Sequence, residues 1–432
     1  MTVTQEKNFW LTTLEPPVIP VRELPERADV AVIGAGFTGL SAARTLAKGG
    51  ARVAVLEAEN VGWGASCRNG GMVLSGLKLG APTLVARYGS EATKRMYAAS
   101  LESIDCVEEI VRADGIACDF SRSGHLEVAC KVKHFVEFRR GAETIEREFG
   151  HKLRIVEKND LATETGSAIY HGGIVDELSA GVNPARYVAG LGCAAAKAGA
   201  EIHENTRVTG LERAARDGES GWKVATSRGV LQAKDVLVAT SGYTSGITPG
   251  LQKRIIPIGS FIIVTEVLRE ELARELSPRG RMIYDSKNYL HYYRLTPDRR
   301  MLFGGRAAFF PENENTVRES ALILRKGMIS VYPQLRNAAV EYVWGGTLDF
   351  AFDIMPHAGR MDGMYFSVGY AGHGVAMATL LGKRMAEAIL TGRDENPFAG
   401  IPFPAALLGM YDGRPWFLPF AGVWYKFLDW VS

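Results

Sequence analysis

The chain has 432 residues, enough for two or three domains, and its 50 Lys plus Arg against 48 Asp plus Glu leave a formal net charge of +2. That near-neutral balance gives no electrostatic reason to expect a nucleic-acid partner. Cys67, Cys106, Cys118, Cys130 and Cys193 form no CxxC pair, and no histidine stands at ligand spacing, so free thiols in a reducing compartment and no metal are expected.

Residues 1–27 read as a lead-in, with Pro16, Pro17, Pro20 and Pro25 opposing regular helix and Phe9, Trp10 and Leu14 available to pin it down. No basic stretch leads into an apolar core there, and no run of about twenty apolar residues occurs anywhere. A cytoplasmic protein is the expectation. Asp29 to Ile33 is apolar and β-branched, as in a strand buried on both faces. Gly34, Gly36 and Gly39 follow in GxGxxG spacing, serving the tight turn, the close approach of backbone to a pyrophosphate, and helix-on-strand packing. A helix Leu40 to Lys48 then aims its first amides at an anion. The strand Arg52 to Leu56 ends at Glu57, where an acid is expected to bond a ribose hydroxyl, which favours FAD or NAD over NADP. The glycine-rich VGWGASCRNGGMV lets backbone approach a ligand closely.

Helical spacing from Tyr88 to Ala113 predicts one amphipathic helix, His125 to Cys130 a strand, and Val132 to Phe149 another helix. Pro184 opens an Ala-rich helix, and Glu201 to Val208 is a strand. A meander of Thr209 to Arg213, Trp222 to Ser227 and Val230 to Ala233 turns at Asp217-Gly218 and Arg228-Gly229, and a separate apolar strand runs from Asp235 to Thr240 into Ser241-Gly242. Returning to a buried strand after a meander implies an α/β fold with a discontinuous nucleotide domain, 28–87, 165–249 and 341–395. Residues 88–164 and 250–340 then form a substrate domain on a mainly antiparallel sheet. Met364 to Val368 is a strand, and Gly369, Gly372 and Gly374 precede the helix Val375 to Leu390, a second helix start offered to an anion or electron-rich ring. In the tail, 396–432, WFLPFAGVWYKFLDWV fits a membrane surface or self-association, but docking on its own protein is favoured.

The pattern NFW, ADVAVIGAGFTGL, VLEAENVGWGASCRNGGMV, VATSGY and FSVGYAGHGVAMATLLGKRMAE resembles the FAD-dependent amine and amino-acid oxidases of the D-amino-acid oxidase superfamily, within it the gamma-glutamylputrescine oxidase branch. The resemblance implies a Rossmann-like FAD domain of the glutathione-reductase type. Gly34, Gly36, Phe37, Thr38 and Gly39 would carry the pyrophosphate, and Glu57 with Ala58 the adenosine ribose. Gly64, Ala65, Ser66, Cys67, Arg68, Asn69, Gly70 and Gly71 would run under the isoalloxazine. Val208 would meet the adenine, with Gly242 also at the cofactor. Gly372, His373, Gly374 and Val375 would receive the pyrimidine edge, where negative charge grows on reduction. Related enzymes carry a cysteine thioether to FAD and a lysine beside it. Neither Trp344 to Asp349 nor Arg300 to Gly305 supplies these, so noncovalent FAD is expected, fast oxidase activity is in question, and Lys253 is only a distant substitute.

The implied reaction moves a hydride from an amine-bearing carbon, and an imine is then hydrolysed. The acceptor is oxygen, or a quinone if the protein is a membrane-docked D-amino-acid dehydrogenase type. A partner or sensor subunit binding FAD without turnover is a further class. An apolar site favours the neutral amine, and Tyr292, Tyr342, Trp344 and Phe350 are candidates for its lining. Arg68, Arg294 and Arg306 are candidate clamps for a substrate carboxylate. Arg68 has a competing role beside reduced flavin, and Arg294 a plain surface alternative. Asp349 and Asp353 are candidates for a distal ammonium, against ordinary turn carboxylates. Cys67 reads as a buried filler more readily than a reactive thiol, and His291 lacks the motif that supports His373.

Overall fold

A computed structural model of the chain describes residues 4–15, 19–216, 219–305, 314–406, 411–418 and 420. The apolar strand Arg27–Ile33 lies inside an eight-stranded sheet, paired in parallel with Val53–Leu56 on one side and Gly229–Val238 on the other. Burial on both faces is why Ala28 and Val30 to Ile33 are all apolar. The sheet runs His357–Met361, Met364–Val368, Gly229–Val238, Arg27–Ile33, Val53–Leu56, Glu201–His203, with Val208–Arg216 and Glu219–Thr226 hung as a meander on Gly229–Val238. The helices Phe37–Lys48 and Gly374–Thr391 pack closely. Ser41 donates to the Thr379 carbonyl at 2.7 Å, and a Cβ on Gly382 would stand 2.3 Å from the Thr38 carbonyl oxygen.

The second sheet, also of eight strands, runs Val340–Ala351, Ile255–Thr265, Met301–Gly305, His291–Leu295, Met282–Asp285, His125–Val128, Gly172–Asp176, Arg154–Glu157. All neighbours are antiparallel except Met282–Asp285 beside His125–Val128. Its residues alternate. Leu126, Val128, Ile283, Tyr293, Phe303, Phe261, Ile263 and Val343 share one buried cluster with Leu324 and Met328 of the helix Glu314–Val331. The residues between them therefore face the nucleotide domain.

Several elements differ from the sequence expectation. The predicted pair 230–233 and 235–240 is one strand, Gly229–Val238. The polar Lys234 and Asp235 interrupt its apolar run, but pairing with Arg27–Ile33 continues past them, from Gln232 to Val238. The predicted helix from Tyr88 to Ala113 is found as Ser90–Asp114, and Gly89, with φ +78°, parts it from a further helix, Ala81–Tyr88, that the spacing did not announce. Glu201–His203 ends early because Asn205 turns the chain at φ 53°. By pairing, Gly172–Asp176 and Val340–Ala351 join the second sheet, whereas the sequence division grouped 165–249 and 341–395 with the nucleotide segments. The predicted turn Asp217-Gly218 lies outside the described residues. Among the described residues no helix is long and apolar enough to cross a membrane. Of the aromatic tail, Phe417 and Leu418 pack with Ile256, Ile258, Phe350 and Tyr411, and 419 and 421–432 lie outside the described residues.

Candidate active site

The glycine turn is fixed by close contacts. Gly34 has φ +104°, and a Cβ there would meet the Ala239 carbonyl oxygen at 2.7 Å; one on Gly39 would stand 1.9 Å from the Gly34 carbonyl oxygen. The turn is therefore pressed between a neighbouring strand and its own helix, which leaves no room for side chains. Glu57 takes the Ala35 amide at 2.7 Å and the Glu59 amide at 3.0 Å, and burial lifts its carboxyl above the ordinary value. Ser66 accepts from the Phe37 amide at 3.0 Å, tying the second loop to the first helix. Together Gly34, Gly36, Phe37, Thr38, Glu57, Ala58, Gly64, Ala65, Ser66, Asn69, Val208, Gly372, Gly374 and Val375 line one cleft of about 1570 Å³. Gly39 and Gly71 stand behind this wall. So does Gly242, expected at the cofactor: a Cβ there would stand 2.9 Å from the Leu348 carbonyl oxygen, while Thr240, Ser241 and Tyr243 do the lining.

A second cavity of about 990 Å³ opens from the first, sharing Ala65, Asn69, Leu348, Gly372 and Val375 with it. Arg68, Gly70, Lys78, Ser260, Tyr284, Tyr292, Phe350 and His373 also line it. Tyr292 lies between two glycines: a Cβ on Gly70 would meet its ring at 3.1 Å and one on Gly304 at 2.2 Å. Burial pushes its hydroxyl up to about 12, so that group stays protonated. His373 caps the start of Gly374–Thr391. Its Nδ1 is buried without a hydrogen-bond partner among the described residues, and burial holds the imidazole down at about 3. A neutral ring with an orphaned polar atom therefore stands where the two cavities meet, beside helix amides that have no partner within the helix.

Other candidates are placed away from the cavity. Arg294 is buried, donating through Nη1 to the carbonyls of Gly71 at 2.9 Å and Val182 at 3.2 Å, and burial lowers it to about 10. It clasps the backbone of the loop and is neither a surface residue nor a carboxylate clamp. Trp344 is 3% exposed and donates to the Arg68 carbonyl at 3.2 Å, and Tyr342 packs on Phe9. Neither lines the cavity: Trp344 is tied to the loop backbone at Arg68, and the amino-terminal Phe9 lies against Tyr342. Arg68 does line it, with its guanidinium anchored on the carbonyls of Trp63 and Gly345 and lying 5.0 Å from the Trp63 ring. Asp349 is buried, accepts from the Gly369 amide at 2.6 Å and lines the nucleotide cleft; Asp353 holds His357. Neither is an exposed turn carboxylate at the amine cavity. The buried Cys67 thiol is pushed up to about 12 by desolvation, which fits a filler. His291 contacts Phe303 on the far side of the sheet, and Arg306 lies outside the described residues.

The sequence model of the FAD-dependent oxidoreductase family matches residues 29–388. The chain belongs to that family. A probable oxidoreductase OrdL of Haemophilus influenzae is 35% identical over 90% of this chain and 88% of its own. The gamma-glutamylputrescine oxidoreductase of Escherichia coli is 33% identical over 87% and 86%. The crystal structure of glycine oxidase from Geobacillus kaustophilus superposes with a TM-score of 0.73 at 20% identity, covering 89% of this chain and 99% of that one. This FAD-dependent oxidoreductase thus has the mixed α/β fold of its family, and the glycine cradle, the Glu57 edge and the orphaned His373 atom fit the dinucleotide. Bound FAD supplies a two-electron acceptor. Sequence reasoning missed Lys78, Ser260 and Tyr284. Ser260 alone left a trace, as the polar break in the apolar run IIPIGSFIIV.

Proposed function

We propose that this FAD-dependent oxidoreductase oxidises a primary or secondary amine, of the gamma-glutamyl amine, omega-amino acid or related amino-acid class. The amine becomes an imine that water hydrolyses, and oxygen takes the electron pair with two protons to give hydrogen peroxide. The observation that carries this reading is the second cavity itself. Its walls of Tyr284, Tyr292 and Phe350 meet the nucleotide cleft at the 65–70 turn and at His373, and no carboxylate lines it among the described residues. An aromatic wall without a carboxylate disfavours an ammonium and so favours the neutral amine, whose lone pair forms the C=N bond as hydride leaves the carbon. Tyr292 keeps its proton at working pH and so orients rather than accepts.

On this reading Gly34, Gly36 and the first amides of Phe37–Lys48 hold the pyrophosphate, Glu57 the ribose, and Val208 the adenine. The amides of Gly374 and Val375 would face the edge where charge grows. Arg68 would set a fixed cation beside the ring. Trp344 to Asp349 contains no cysteine, which supports noncovalent FAD.

The test is anaerobic bleaching of the holoenzyme flavin by a panel of amines and amino acids, followed by oxygen uptake and peroxide release. Bleaching with stoichiometric peroxide supports the proposal. Bleaching with dye reduction and no oxygen uptake moves the acceptor to a quinone, and a flavin that no amine bleaches rejects amine oxidation.

A further inference from the structure

Tyr284 and Tyr292 are cross-strand partners in the antiparallel pair Met282–Asp285 and His291–Leu295, and both line the second cavity. Their hydroxyls have different neighbours. Ser260 donates to the Gly305 carbonyl at 3.2 Å, which leaves its oxygen to accept from the Tyr292 hydroxyl, 3.4 Å away. The Tyr292 proton is thus drawn into the sheet.

Behind Tyr284 lies His125, with its Nε2 at 3.2 Å from the tyrosine oxygen. His125 Nδ1 lies 2.8 Å from the Ser179 hydroxyl, and the Ser75 amide donates to that same hydroxyl oxygen at 3.1 Å. Asp176 fixes this corner by accepting from the Ser75 hydroxyl and from the Leu178 amide at 2.8 Å. Ser179 is fully buried, and among the described residues Nδ1 is the one acceptor beside its hydroxyl. A buried hydroxyl proton without an acceptor costs free energy, so Ser179 donates to Nδ1. Burial holds the imidazole down at about 4, so at neutral pH it carries one proton, and that proton sits on Nε2. Nε2 then donates to the Tyr284 oxygen. Burial keeps the Tyr284 proton in place, and with no acceptor for it among the described residues it is left to the cavity.

We infer that Tyr284 is a specificity-determining hydrogen-bond donor that binds a carbonyl oxygen of the substrate, with His125 and Ser179 as the positioning residues that turn its proton outward. This deepens the amine-oxidation reading and rests on it. A carbonyl oxygen accepts without bringing a proton of its own, so it satisfies Tyr284 and leaves no donor unmatched. The reacting nitrogen is not the group bound there, because a donor on its lone pair would hold the electrons that form the C=N bond.

The first test is nuclear magnetic resonance of the holoenzyme with isotope-labelled histidine, the His125 signals being assigned by their loss in His125→Asn. A proton on Nε2 is expected at neutral pH, and a proton on Nδ1 or a doubly protonated ring would overturn the inference. The second test compares delta-aminovaleramide with hexylamine, which has the same length and reacting amine but no carbonyl. Tyr284→Phe is expected to lower kcat/KM for the amide by about three- to tenfold more than for hexylamine, through KM rather than kcat, the scale of one neutral hydrogen bond. Ser179→Ala should move that ratio in the same direction and add nothing in the Tyr284→Phe background, since it acts through the same hydroxyl. Equal losses for the two amines in Tyr284→Phe, as a merely structural role would give, or additive losses in the double variant, would overturn the assignment. Oxidation of hexylamine but not of the amide would overturn it too and leave amine oxidation standing. Valeramide, which has the carbonyl and no amine, is titrated against the flavin absorption band to read binding without turnover. Weaker binding to Tyr284→Phe than to the parent supports the donor, and equal or undetectable binding to both rejects it even if no amine is oxidised.

Discussion

On the nucleotide side of the cleft the wall is largely backbone, with Gly34, Gly36, Gly64, Gly372 and Gly374 bringing main chain to the surface and Glu57 fixed to the first loop through the Ala35 amide. On the cavity side the wall is side chains, with Lys78, Tyr284, Tyr292 and Phe350 drawn from separate segments. Recognition by backbone needs glycines at fixed spacing around one turn, so it writes a local signature. Recognition by side chains needs only that paired strands present alternate residues to one face. The two sides should therefore fail differently when mutated.

The largest effect is expected from Gly39→Val, since even a Cβ would stand 1.9 Å from the Gly34 carbonyl oxygen. The purified protein should lose nearly all its bound flavin absorbance, and full flavin content would break the contrast between the two sides. Arg294→Met should retain flavin but leave the Gly71 and Val182 carbonyls without their buried donor. A loss of about 3 kcal/mol in unfolding free energy is expected, read as a lower denaturant midpoint; an unchanged midpoint would show that the clasp is dispensable. Gly304→Ala should be milder and confined to the cavity, because the added Cβ would meet the Tyr292 ring at 2.2 Å. About a tenfold fall in kcat/KM, roughly 1.4 kcal/mol, with normal flavin content would sharpen the contrast, and co-loss of flavin would blur it.

The same contrast explains what could be read from the sequence. The Asp29 to Glu57 unit and the start of Gly374–Thr391 were legible because strand, glycine spacing and helix all lie within a few dozen neighbouring residues. The assignment of Gly172–Asp176 and Val340–Ala351 to the second sheet was not, since a strand's pattern states that it is buried and not what it pairs with. Arg294 follows Tyr292 by two residues and shares its face, as alternation requires, yet the backbone of Gly71 and Val182 lies beneath it instead of open space. That contact joins residues more than a hundred apart and leaves no local trace. Lys78 sits in SGLKLG, a segment with no periodicity to say which way a side chain points.

His373 stands where the two sides meet, and its titration tests that position by a smaller effect. Burial lowers its folded value to about 3, against about 6.5 for an unfolded histidine. The unfolded chain therefore binds the proton first, so the stability this residue contributes is full above about pH 6.5 and is lost as pH falls toward 3. His125, lowered to about 4, and His291, lowered to about 3, act in the same direction. Asp349 opposes them, because burial raises it to about 6 and its contribution is full at low pH and lost as pH rises through that value. His373→Asn should thus remove only one share of the acid sensitivity, about 1 kcal/mol per pH unit between about 6 and 4. Unfolding midpoints of the two holoenzymes should converge as the pH is lowered across that range. Parallel curves would mean that His373 already carries its proton in the folded protein, and the neutral ring at the junction of the two cavities would have to be abandoned.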